Sequence, residues 1–175
     1  VNLNVGLAVG PNAVLATVIG QNKRKRINPM IHTIITFGII MGILLMITGM
    51  LLARIVLEAS GTPASVMDEA LLYIRIYFLS IPFMVTYNFG SAILRSYGDT
   101  KRPMYYLMIT GVVNIILNLI LVIVFSLGVA GVAIATLIAN ILSASLVLIH
   151  LYRREDEFQF RIGRMRIEAD DLKKI

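Results

Sequence analysis

The chain has 175 residues, 58% of them hydrophobic and 15% charged, with a formal net charge of +6 and a mean hydropathy of +0.83. These fractions exclude an ordinary water-soluble domain, so membrane spans are the unit to count. The absence of cysteine removes disulfides, thiolate metal sites and cysteine nucleophiles. The basic residues fall in short gaps between apolar runs instead of along one polar face, which argues against a nucleic-acid partner.

In chain order, residues 1–19 predict the end of a helix, because the apolar run is too short to cross a membrane alone and is interrupted by Pro11. Val1 leads straight into apolar sequence without a basic leader, which predicts no signal peptide and a start within a longer protein. Four stretches then meet the requirement of about 20 mostly apolar residues. Residues 31–52, 104–125 and 129–151 are uncharged, and 71–94 carries only Arg75, close enough to a span end to snorkel to the interface. The expected fold class is all-α: a polytopic membrane helical bundle of four complete spans plus one partial span, over residues 1–152.

Lys23, Arg24, Lys25 and Arg26 follow the first stretch, Arg95, Lys101 and Arg102 follow the third, and Arg153 and Arg154 follow the fifth. These alternate gaps are assigned to the cytoplasm, whereas Glu58, Asp68 and Glu69 and the uncharged turn at 126–128 are assigned outside. The outer loop Ala59-Ser60-Gly61-Thr62-Pro63 is turn chemistry in which Thr62 and Pro63 can start a short helix. Residues 153–175 are expected to be a cytoplasmic linker. There Phe158, Phe160, Ile162 and Ile167 alternate with Arg161, Arg164 and Arg166, a composition that suits either anionic headgroups or plain solvent.

All ten carboxylates lie in loops, near span ends or in the tail. His32 and His150, at the ends of apolar runs, are expected at the interface, not as metal ligands. With no triad, phosphate loop or zinc spacing, the expectation is a protein that is not an enzyme and needs no organic cofactor or metal beyond a coupling ion. The informative residues are neutral. Thr110, Asn114 and Asn118 recur every four positions and predict one polar stripe, and Thr136 and Asn140 predict another.

The short turn between these spans predicts an antiparallel hairpin. Taking Leu127 as its centre, Asn118 and Thr136 share one depth, and Asn114 and Asn140 share another; the pairs bracket the middle of a core about 30 Å thick. Gly131, Ala135 and Ala139 supply a small-residue face for close helix contact. Interhelical hydrogen bonding would explain a single Asn, but two stripes meeting near mid-membrane predict a cavity or ion site, with Asn88 and Tyr87 as further candidates to face it.

Gly-Asp-Thr-Lys-Arg-Pro at 98–103 is preceded by Ala-Ile-Leu-Arg at 92–95, then followed by Asn-Ile-Ile-Leu-Asn at 114–118 and Gly-Val-Ala-Gly-Val-Ala-Ile-Ala-Thr at 128–136. In this order and spacing they resemble the fourth-to-sixth helix region of MATE transporters, within the multidrug/oligosaccharide-lipid/polysaccharide exporter superfamily. Locally, Asp99 or Thr100 can cap the next helix, with Pro103 in its first turn.

The resemblance implies a twelve-helix protein of two six-helix lobes, of which this chain would be helices two to six and the inter-lobe linker; helix one, with its usual Asp, and the C-terminal lobe lie outside it. It further implies export of organic cations, drugs or other amphipathic molecules in exchange for Na⁺ or H⁺ across a plasma membrane, a bacterial or archaeal inner membrane. It places candidate cation ligands at Asn114, Asn118 and Thr136, and candidate cavity residues at Asn88, Asn140 and Thr110. Some relatives carry Asp where this chain has Asn118, and the neutral amide tilts the expectation toward Na⁺. A lipid-linked saccharide flippase of the same superfamily and a non-transporting membrane scaffold are the alternatives.

Overall fold

The structure is a computed structural model that describes residues 15–21 and 24–154. The remainder of the opening stretch, the side chains of the first basic gap and the tail from residue 155 lie outside the described residues. A helical segment, α1 (15–20), is followed by α2 (Arg24–Ala59), a 3-10 turn (Ala64–Val66), α3 (Met67–Ser96), α4 (Lys101–Leu119), a π-helical turn (Ile120–Val124) and α5 (Gly128–Tyr152). The fold class expected from sequence is what the structure shows: helices throughout the regular structure of the described residues, four of them long and apolar enough to cross a membrane. Helix is the natural solution for such runs, because hydrocarbon offers backbone N–H and C=O groups no partner outside their own segment.

The helices outrun the apolar windows. α2 has 36 residues and starts at Arg24 instead of residue 31, passing through Pro29, and α3 has 30 residues and starts at Met67 instead of residue 71. Polar end turns keep the same backbone bonding as apolar ones, so hydropathy marks the lipid-embedded part and not the helix end. Pro82 lies inside α3, where its missing N–H removes one intrahelical bond; Thr86 donates its hydroxyl to the Pro82 carbonyl at 2.7 Å.

α3 is the central element, packed on one side against α2 and on the other against α5, while α4 packs chiefly on α5. The buried core gathers toward one end: Met30, Ile31, Ile34 and Ile35 of α2, Val85, Phe89, Ile93 and Leu94 of α3, and Val147 and Leu151 of α5. That is the end bearing Arg95, Lys101, Arg102, Arg153 and Arg154, referred to below as the basic end. Toward the acidic end the helices present apolar side chains outward, among them Leu44, Leu51 and Ile55 of α2 and Ile115, Ile123 and Val124 of the α4 hairpin arm.

Two local expectations hold. Pro63 precedes the 3-10 turn that leads into α3, and the Asp99 carboxylate accepts the Arg102 backbone N–H at 3.2 Å, capping α4. His32, near the basic end of α2, is 2% exposed between the helices, with its Nδ1–H donating to the Asn28 carbonyl at 2.8 Å. The antiparallel order of α3, α4 and α5 also makes a topology prediction. A cysteine at Lys101 is expected to react with an impermeant thiol reagent from the opposite membrane face to one at Ser65, and reaction of both from one face would break the span count.

Candidate functional site

The α4–α5 hairpin closes through a distorted turn. The π-helical residues Ile120–Val124 give way to Ser126 at φ 52° and Gly128 at φ 51°, while the Leu121 carbonyl accepts the Leu127 N–H at 3.0 Å. Beyond it, the expected small-residue face of α5 is in place: Gly131, Ala135 and Ala139 are buried. A Cβ on Gly131 would sit 3.2 Å from the Leu121 backbone, so the hairpin arms approach closely there.

Between α3, α4 and α5 lies a cavity of about 460 Å³. Tyr87, Asn88 and Met84 reach it from α3, Leu107, Thr110, Gly111 and Asn114 from α4, and Thr136, Ala139, Asn140 and Ser143 from α5. The volume falls within the range of small-molecule sites, and the mixture of apolar wall and a few convergent polar groups is typical of them. Its polar lining is neutral, consisting of three amides, three aliphatic hydroxyls and one phenol.

The structure therefore brings together five of the six sequence-derived site residues: Asn88, Thr110, Asn114, Thr136 and Asn140. Asn118 does not line the cavity. Helical geometry explains why. Each step of four residues overshoots a full turn by about 40°, so Asn118 has rotated by about 80° from Thr110. Seven residues fall only about 20° short of two turns, which brings Ser143 back under Thr136 although its role was not read from the sequence. Its spacing of three from Asn140 was the available signal; Met84, four residues before Asn88, carried a similar one.

Asn118 stays coupled to the cavity through its neighbour. Its Nδ2 donates to Asn114 Oδ1 at 3.0 Å, and its own Oδ1 is buried without a hydrogen-bond partner. A buried amide oxygen left without a partner costs about 1–3 kcal/mol, and it is the kind of neutral oxygen that a hard monovalent cation or a water molecule accepts as a ligand. Thr110 and Thr136 return their hydroxyls to their own helices, Thr110 to the Tyr106 carbonyl at 2.9 Å and Thr136 to the Val132 carbonyl at 3.0 Å. Each hydroxyl oxygen retains acceptor capacity toward the cavity.

At the basic end of the bundle the α3–α4 connector is strapped in place. Arg102 forms an ion pair with Asp99 at 3.2 Å and donates from Nη1 to His150 Nε2 on α5 at 2.9 Å. The Arg154 guanidinium lies 4.2 Å from the centroid of the Tyr97 ring, a cation–π distance. Burial pushes the Tyr97 phenol up to about 12, against the opposing pull of Arg154, so it is neutral at physiological pH. His150 is thus engaged at the connector, and among the described residues no His, Asp or Glu cluster is arranged to hold a metal.

Comparison with known proteins agrees with this architecture. The profile of the MatE family matches residues 3–120. The Bacillus subtilis probable multidrug resistance protein YoeA is 29% identical over 164 residues, covering 91% of this chain and 35% of its own length, and the probable multidrug resistance protein YpnP of the same organism is 32% identical over 136 residues, covering 75% and 31%. A solved structure of a multidrug resistance MATE family transporter of the MOP superfamily, in an inward-facing conformation, superposes with a TM-score of 0.89 at 24% identity, covering 98% of this chain and 39% of that one. The chain spans about a third of the length of the curated relatives it matches. With the profile matching about two thirds of the sequence and the helical fold shared, this chain belongs to the MatE family of membrane transporters.

Proposed function

We propose that this chain forms part of a secondary active transporter that exports organic cations or drugs in exchange for Na⁺ or H⁺. The observation that carries the reading is the neutral, polar-lined cavity between α3, α4 and α5, with the orphaned carbonyl oxygen of Asn118 one turn beyond it. Intramembrane polar groups that converge on a space instead of on each other are characteristic of transport pathways. In this reading Asn88, Thr110 and Asn140 line the substrate space, while Asn118, its hydrogen-bonded neighbour Asn114 and Thr136 of α5 bind the coupling cation.

The amide carbonyl offers an oxygen but no titratable proton, which favours Na⁺ at this position. Helix one and a second lobe, supplied by sequence beyond this chain, would complete the cavity. By the distribution of Lys and Arg, the basic end and the segment from residue 153 onward lie in the cytoplasm; the Bacillus subtilis relatives favour a bacterial plasma membrane for the helices. The names of YoeA and YpnP, both probable multidrug resistance proteins, support drugs as the exported class.

Efflux of a fluorescent organic cation from vesicles containing the intact transporter tests this, with Na⁺ and proton gradients imposed separately. An imposed inward Na⁺ gradient is expected to drive export. Export that responds to neither gradient would remove the antiport reading.

A further inference from the structure

Tyr87 lines the cavity from α3, and its hydroxyl donates to the Pro103 carbonyl at 2.8 Å. Pro103 sits, buried, in the first turn of α4. A carbonyl has two lone pairs, so this one can accept the phenol in addition to the N–H four residues along the helix. α4 touches α3 little along the rest of its length, so this bond fixes the separation of the two helices at the first turn of α4.

Neighbouring contacts hold the same turn from the other side. Arg102, one residue earlier, is tied to Asp99 and to His150 of α5. The proline ring restricts the backbone between these attachment points, so a pull on the Pro103 carbonyl moves the start of α4 as a unit. The opposite end of this arm is the π-helical turn at Ile120–Val124, none of whose residues is buried. α4 is therefore tied to α3 at the basic end, whereas at the other end its arm packs only on α5, with Gly131 against the Leu121 backbone.

We propose that Tyr87 is a positioning residue that closes the basic end of the cavity by holding the first turn of α4 against α3, and that transport requires this bond to break and reform. This rests on reading the cavity as the transport space. Tyr87→Phe keeps the ring in the cavity wall and removes only the bond. The reporter is Gly111→Cys, since Gly111 lines the cavity and a Cβ there meets nothing within 4 Å, and the chain has no native cysteine.

In the intact transporter, Tyr87→Phe is expected to speed reaction of the reporter with an impermeant maleimide added at the basic end by roughly 2- to 12-fold, the population shift of one typical net hydrogen bond. The rate from the other face should stay unchanged, and maximal efflux should fall while the half-saturating substrate concentration changes little. An unchanged rate from the basic end, or an equal rise from both faces as in general loosening, would overturn the proposal. If the native Tyr87 protein shows no reporter reaction from either face, the transport-space reading fails separately; a basic-end gain on Tyr87→Phe would still identify the closure.

Discussion

Replacing Asn118 by Leu is expected to raise the ion concentration that half-saturates efflux by roughly 10- to 150-fold, if a cation contact is worth the about 1.5–3 kcal/mol of a hydrogen bond to a charged group. Leu has similar bulk, so the loss is confined to the amide. Two things go with it: the buried Oδ1 that has no protein partner, and the Nδ2 donor to Asn114 Oδ1. Removing the unsatisfied oxygen relieves a desolvation cost, so the fold should tolerate Asn118→Leu well even as ion dependence fails.

Asn118→Asp gives the complementary outcome. It keeps an oxygen and adds a titratable group, and Asn114 must turn its amide to donate where it now accepts. Transport is expected to persist, with ion dependence weakening as pH falls and the carboxylate protonates. Efflux measured against Na⁺ at several pH values checks both variants; wild-type ion dependence in Asn118→Leu at normal expression would return Asn118 to a packing role.

The second large effect is structural. A Cβ on Gly42 would lie 2.7 Å from the Cα of Pro82, so α2 crosses α3 against backbone that has no rotamer to move. Gly42→Ala is expected to force the helices apart at a cost of about 1–3 kcal/mol, the usual range for overpacking. Gly111→Ala, with open space at its Cβ, serves as the control and should be neutral or slightly stabilising through helix propensity. Thermal unfolding in detergent measures the difference. Equal melting temperatures for the two variants would mean that the α2–α3 crossing is softer than its geometry indicates.

The sequence made the spans and their number legible because apolar length is a one-dimensional property that lipid imposes directly. The α4–α5 hairpin was equally readable, since a three-residue gap permits little else, and the four-residue recurrence of Thr110, Asn114 and Asn118 placed two of the three at the cavity. The exception, Asn118, is a matter of angle: spacing gives which residues share a face only until the drift of about 40° per step accumulates.

The pairing of Pro82 with Gly42 and of Tyr87 with the Pro103 carbonyl was not legible, because each depends on how separate helices cross and not on periodicity within either. The burial of His32 was not legible for the same reason: α2 begins at Arg24, and which side of it faces α3 is set by the crossing and not by the apolar run.

Everything proposed for transport depends on the space between α3, α4 and α5 being a wet, substrate-accessible cavity and not a dry packing defect. Labelling of Gly111→Cys in the intact transporter, with and without saturating substrate, tests this most directly. The cysteine is expected to react with an impermeant maleimide, and substrate is expected to slow the reaction. A cysteine at 111 that stays unreactive from both faces, while one at Ser65 reacts, would contradict it.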